Sequence, residues 1–178
     1  MFNNITKQDL LKVEKPARYV GGEYNQVIKN KDDVKCRFAF CFPDIYDIGM
    51  SNLGMKILYN VLNKRADTWC ERVFAPWTDF EATMRTKSVK LYALESKDSI
   101  DKFDIVAFTL QYEMSYTNVL NMLDLGGIPI LSKDRGENDP FVFAGGPCAC
   151  NPYTMSKFID MFMLGEGEEL IDLVTQKY

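Results

Sequence analysis

The chain has no histidine among its 178 residues, which removes the side chain most used for acid–base work near neutral pH and most used as a metal ligand. Self-contained catalysis is disfavoured on that ground. An excess of positive charge is also missing. The 21 Lys and Arg stand against 25 Asp and Glu, a net charge of −4, so nothing draws the chain in bulk to a phosphate backbone and a nucleic-acid partner is not expected. No apolar run is long enough to span a bilayer, and residues 1–15 are polar and mixed in charge, unlike a secretory leader. A cytoplasmic protein with no membrane partner is the expectation. Five cysteines, an odd number, fit reduced thiols better than a disulfide framework. Their spacing gives no metal set: Cys36 and Cys41 flank a strand-like run, Cys70 stands alone, and Cys148-x-Cys150 is one pair without a second. That pair reads as inward-pointing turn residues ahead of a metal or redox site. Internal repeats, heptads and low-complexity tracts are absent too.

What is present is enough for one core. At 47% hydrophobic and 13% aromatic, the chain can bury a single domain and is too short for two ordinary ones. Residues 1–35 carry scattered lysines, Pro16 and Gly21-Gly22, and read as an arm with no core of its own; residues 36–178 read as the domain. CRFAFCF at 36–42 is a buried strand, after which Met50, Leu53, Ile57, Val61 and Leu62 fall on one helical face. ERVFA at 71–75 is a second strand, followed by a helix capped by Thr78 or Asp79 and running to about Lys87. The segment 90–94 is an ambiguous edge piece. IVAFTL at 105–110 is apolar until Thr109, as a central parallel strand covered on both faces must be. Tyr116, Val119, Leu120 and Leu123 then repeat at helical spacing until Gly126-Gly127, and extended chain restarts at 128–131.

The run 141–170 is the densest in information, because two glycine turns directly follow two short apolar segments. FVFA ends at Gly145-Gly146-Pro147, where residues lacking a Cβ let the chain turn sharply and a ligand approach closely. The segment 158–164 ends at Gly165-Glu166-Gly167-Glu168-Glu169, which opens a helix whose first turn is acidic, as the helix dipole favours. Those carboxylates argue against a phosphate cradle and for a group that accepts hydrogen bonds from amides or hydroxyls. The βαβαβα order implies a doubly wound α/β fold, flavodoxin-like or Rossmann-like. It has a mostly parallel five-stranded sheet in three αβα layers, with its ligand beyond the carboxyl ends of the strands. Four loops meet that rule: 43–53, 109–114, 145–152 and 165–169. In the first, Asp47 and Ser51 can equally be ordinary turn and cap residues; in the second, Thr109, Gln111 and Tyr112 can equally serve the loop backbone.

Four motifs in this order, FPDIYDIGMSNLG, DIVAFTLQYEMSYTNVLNMLDLGGIP, AGGPCACNP and LGEGEE, preceded by KPARYVGGEYN, carry a resemblance. The chain resembles, from about Lys15 to its end, the amino-terminal cobalamin-binding-like domain of an uncharacterised family of radical S-adenosylmethionine (SAM) proteins. Cobalamin domains of the mutase type use Asp-x-His-x-x-Gly after the first strand, Ser-x-Leu at a central strand end, and a later Gly-Gly beside the nucleotide tail. The matching frames are Asp44-x-Tyr46-x-x-Gly49, Thr109 with Gln111, and Gly145-Gly146. Tyr46 stands where the axial histidine would be, and a neutral phenol is a poor cobalt ligand. The resemblance therefore implies a corrinoid held without a protein lower ligand, or a domain that keeps only the architecture.

On the first alternative, Asp44, Tyr46, Gly49 and Ser51 lie near the lower face, Thr109, Gln111 and Tyr112 line the crevice, and Gly145, Gly146 and Pro147 border the tail. Glu166 and Glu168 sit at the rim, toward the barrel. The parent would transfer a methyl group or rearrange an unactivated carbon centre. On the second, the same rim recognises a substrate or closes over the barrel. The Cys-x-x-x-Cys-x-x-Cys loop that holds a [4Fe-4S] cluster in this class does not occur here. Cluster, S-adenosylmethionine and barrel are thus expected in a following part of the parent chain, with this piece not catalytic alone. A flavin domain of flavodoxin type is a third reading, disfavoured by Asp44 and Asp47 in the turn where a phosphate would bind.

Overall fold

Strand β1, Cys36–Phe42, is buried along its whole length, and every second side chain serves a different layer of the fold. Ala39 and Cys41 enter one apolar cluster, while Phe38, Phe40 and Phe42 enter the other. The computed structural model describes residues 4–177; residues 1–3 of the arm and Tyr178 at the end of the domain lie outside them. The arm carries two single-turn helices, α1 (Lys7–Leu10) and α2 (Ala17–Val20). After β1 come α3 (Tyr46–Gly49), α4 (Leu53–Lys64), β2 (Thr68–Phe74), α5 (Thr78–Thr86), β3 (Ile105–Thr109), α6 (Tyr116–Gly126), β4 (Phe141–Gly145), β5 (Met161–Phe162) and α7 (Gly167–Lys177).

All strand pairs are parallel, in the order β2-β1-β3-β4-β5. This is the doubly wound order of flavodoxin-like sheets, with its switch point between β1 and β3. Met55, Tyr59 and Leu62 of α4 and Ile171 of α7 pack on the phenylalanine face of the sheet. Phe80 and Met84 of α5 and Val119, Met122 and Leu123 of α6 pack on the other. Helix α4 starts where Asn52 accepts the Met55 N–H at 2.8 Å, and α6 stops at Gly127, whose φ of 72° is the left-handed turn glycine supplies readily.

Several boundaries differ from the sequence expectation. Strand β2 begins at Thr68, three residues early, because Thr68 and Trp69 register against Cys36 and Arg37. The α5 cap is Trp77 rather than Thr78 or Asp79. Its N–H donates to the Tyr19 hydroxyl, and Asp79 is engaged by the Glu14 N–H at 2.8 Å. The expected extended chain at 128–131 forms no strand: Pro129 has no donor, and Arg135 takes the Pro129 carbonyl instead. Strand β5 is cut to two residues, paired on β4 alone.

The arm has no core of its own but joins the main one. Ile5, Val13 and Tyr19 belong to the cluster under α5, and Tyr19 stacks on Phe80 with centroids 3.8 Å apart. The segment 90–94 forms one antiparallel bridge, Tyr92 to Ser99, and lies against β2. Leu94 N donates to Arg72 O, Glu95 accepts the Arg72 N–H, Asn63 takes both main-chain groups of Cys70, and the Lys29 ammonium takes the Thr68 carbonyl. The outer edge of β2 is thus filled mostly by side chains.

Three thiols are sealed inside this sheet. Burial pushes Cys36 up to about 12 and raises Cys41 and Cys70 as well. The native state therefore keeps protons that an unfolded chain releases from about pH 8.5 upward, so stability held below that pH is lost as pH rises. Lys97, lowered to about 8 by burial, opposes this with one proton. Three thiols against one ammonium give an expected loss of about 2–3 kcal/mol per pH unit between pH 9 and 10, to which the phenols of Tyr59 and Tyr92, also raised by burial, add in the same direction, read from urea midpoints in reducing buffer. A flat profile would contradict the burial of these thiols.

Candidate functional site

The ends of β1, β3, β4 and β5 are neighbours along one edge of the sheet, so the four loops selected from sequence do converge. Between the strands' carboxyl ends and the starts of α4 and α7 lies a crevice of about 170 Å³. Its floor is Phe40, Ala107 and Phe143, and its walls are Met55 and Leu58 of α4, Met163, and Ile171 of α7. Polar groups stand only at the mouth: Asn52, Thr109, Gln111 and Glu168. Among the described residues no lysine or arginine lines it, and the amide ends of two helices face it with Glu168 as counterweight.

Glycine is required at one point of this wall. Gly146 has φ 97°, and a Cβ there would stand 2.9 Å from the Leu110 carbonyl oxygen. The close approach is fixed by Leu110 N donating to Gly145 O at 2.7 Å and Cys148 N donating to Leu110 O at 3.1 Å. Gly145 differs, since its Cβ would make an ordinary contact with Met163 at 3.5 Å. Gln111 Nε2 donates to Thr109 Oγ1 at 2.5 Å, which leaves the Gln111 carbonyl oxygen directed by that bond.

Of the residues read from sequence, Thr109, Gln111, Gly145, Gly146 and Glu168 line the crevice. Asp44 and Tyr112 stand beside it, joined across the switch point by a 2.5 Å hydrogen bond from the phenol to the carboxylate, a bond that raises the Tyr112 hydroxyl. Pro147 is exposed and opens a short 3-10 turn; Glu166 is exposed and caps α7 through its carbonyl, which accepts the Leu170 N–H.

Tyr46 and Gly49 lie on the β2 side, against Phe74. The Tyr46 ring meets Phe74 edge-on at 5.4 Å, and its hydroxyl donates to Glu23 of the arm at 2.5 Å. Burial first, then Glu23, pushes that phenol up to about 12. Ser51 donates to the Asp47 carbonyl at 2.8 Å, the ordinary backbone role open to it. Sequence reasoning missed Met55 and Leu58 because it placed the inner face of α4 at Met50, Leu53, Ile57, Val61 and Leu62; the helix instead buries Met55, Tyr59 and Leu62 and leaves Leu53 and Ile57 69% and 37% exposed, while Asn52 lay in a selected loop without being singled out. Cys148 is half-buried against the core and Cys150 is exposed; among the described residues no three Cys, Asp or Glu side chains are placed to hold a metal ion. Among those residues no helix is long and apolar enough to cross a membrane.

A family described as radical SAM proteins, N-terminal, matches residues 54–178, from the first turn of α4 onward, which takes in every lining residue of the crevice except Phe40 and Asn52. The chain belongs to that family. An uncharacterized protein of Methanocaldococcus jannaschii is 31% identical over 133 residues, covering 73% of this chain and 24% of the relative. The chain thus spans about a quarter of the length of that relative. No solved structure matches it. The radical SAM family match contains four of the elements that wall the crevice, α4, β3, β4 and α7, and leaves β1 and the arm outside.

Proposed function

We propose that the chain is a cobalamin-binding-like module of a radical SAM protein, and that its crevice receives the narrow tail of a corrinoid held without a protein lower ligand. The crevice carries this reading. Its 170 Å³ is close to the ~150 Å³ of an engineered apolar cavity that binds benzene, so it fits the terminal ring of that tail and leaves the sugar and phosphodiester outside. A macrocycle would rest outside, on the loop tips. A bound corrinoid would supply methyl-transfer or carbon-radical chemistry to the parent. This chain's residues bind and orient: Thr109 and Gln111 offer a hydroxyl and an amide at the mouth, Gly145 and Gly146 leave the passage open, and Leu58 and Met163 keep water from the buried ring.

The iron–sulfur cluster, S-adenosylmethionine, the barrel and the substrate belong in this reading to the rest of the parent. Exposed Glu166 and Glu168 are the rim groups offered to the barrel. A second reading, a recognition or lid domain, is favoured by Tyr112, Met114 and Tyr153, large side chains 41%, 85% and 87% exposed on the same loop tips. A flavodoxin-type flavin, which buries its phosphate at the strand ends, is disfavoured because Glu168 and no cation among the described residues lines the crevice, whereas a corrinoid's phosphodiester stays outside.

Dialysis and absorbance with hydroxocobalamin, with FMN and with neither test these readings. Weak hydroxocobalamin uptake is expected, with no imidazole-type spectrum and no flavin quenching. Gly145→Leu, which fills the passage from a position with room for a Cβ, should weaken that uptake about tenfold. No uptake of either compound would favour the lid; a tight stoichiometric complex with an imidazole-like spectrum, or quenched flavin, would overturn the proposal.

A further inference from the structure

The motif KPARYVGGEYN at 15–25 has no part in the crevice, and neither has any residue of 43–51; Asn52 is the first of that loop to line it. The two unused segments are bound to each other. Arg18 Nε donates to Asp47 at 2.6 Å and Lys15 Nζ reaches the other carboxylate oxygen at 3.3 Å. Glu23 accepts from Tyr46, and the ring of Tyr46 is held by Phe74.

Backbone packing fixes the same arrangement from both sides. A Cβ at Gly49 would fall 2.2 Å from the Phe74 ring, so α3 lies as close to β2 as glycine permits. A Cβ at Gly21, φ 66°, would fall 2.3 Å from the Leu94 carbonyl oxygen, so the arm is equally close on its own path. The strand order decides the direction. The crevice lies at the ends of β1, β3 and β4, whereas Tyr46 leans over β2, on the opposite side of β1.

We infer that Tyr46 and Asp47 are anchors of the amino-terminal arm, facing away from the crevice, and that position 46 cannot supply a lower ligand to a corrinoid even when it carries histidine. The inference takes its ligand from the corrinoid reading, while the anchoring stands without it. Turning position 46 toward the crevice requires breaking the Asp47–Arg18 pair, leaving Glu23 unpaired by the phenol, and lifting α3 off Phe74. Tyrosine in place of histidine in this frame is then consistent with a loop that serves the arm.

The test uses wild type, Tyr46→His and Tyr46→Phe. Hydroxocobalamin, which keeps the tail, is added in excess to protein grown on nitrogen-15 and reduced to Co(II), so that in electron paramagnetic resonance a protein nitrogen gives a two-line axial splitting and the corrinoid's own base a three-line one. No two-line splitting is expected from Tyr46→His. In parallel, hydrogen exchange of arm residues 17–27 should quicken about five- to tenfold in Tyr46→Phe, which removes one bond to a charged acceptor. Two-line splitting in Tyr46→His, or an arm as protected in Tyr46→Phe as in wild type, would overturn the inference. Failure of the corrinoid reading shows separately, as no uptake of hydroxocobalamin by wild type together with the expected change in arm exchange.

Discussion

Replacing Glu95 with alanine is expected to destabilise the protein by about 3–5 kcal/mol, because it strands a buried guanidinium. The Arg72 and Glu95 side chains are 3% and 0% exposed, joined at 2.8 Å, with the same carboxylate accepting the Arg72 N–H at 2.7 Å. Burial raises the Glu95 carboxyl and Arg72 pulls it back down, so each ion is tolerable only with the other. Arg72 Nη2 already has no hydrogen-bond partner among the described residues, and its remaining neighbours are Asn25, Met50 and the Tyr59 ring at 4.4 Å. For a domain of this size the loss corresponds to a fall of about 6–20 °C in Tm. The double variant Arg72→Met, Glu95→Gln removes both charges and keeps an acceptor for the main-chain N–H, so it should recover most of the loss. If the single and double variants melt together, the cost lies in packing and the charge argument fails.

Phe143→Ala is the second large effect and joins stability to the crevice. Phe143 is 1% exposed, meets Phe38 edge-on at 5.5 Å, and forms part of the crevice floor. Truncation removes a buried ring from a layer already bordering empty space, at an expected cost of about 3–5 kcal/mol. The enlarged cavity should then take up a small aromatic such as indole. Because the unfolded chain has no such site, added indole should return part of the lost Tm to the variant and give a smaller rise in wild type. Equal responses in both would mean that the floor of the crevice lies elsewhere.

Much of the architecture could be read before any coordinates. Unbroken apolar runs such as 105–110 announce strands covered on both faces, and paired glycines announce where they end. Legibility faded where the decisive contact was distant in sequence. Nothing in the string around Thr68 shows that it will register against Cys36, and nothing in Asp79 shows that Glu14 will claim its carboxylate. The site divides in the same way. Thr109, Gln111, Gly145, Gly146 and Glu168 follow from the rule that ligands sit past strand ends, whereas the Asp44–Ser51 loop only borders the crevice at Asp44 and then turns to meet the arm. A segment 20 to 30 residues upstream decides that turn, and no local pattern reports it.

The outer margin of β2 has one more effect. With Thr68, Cys70 and Arg72 already engaged by Lys29, Asn63, Glu95 and Leu94, that side presents no free ladder to another chain. Lateral growth of the sheet is therefore one-sided. Any strand donated by a neighbouring molecule or by a longer form of the protein can join only beside β5, and runaway end-to-end stacking of these sheets is blocked at the first step.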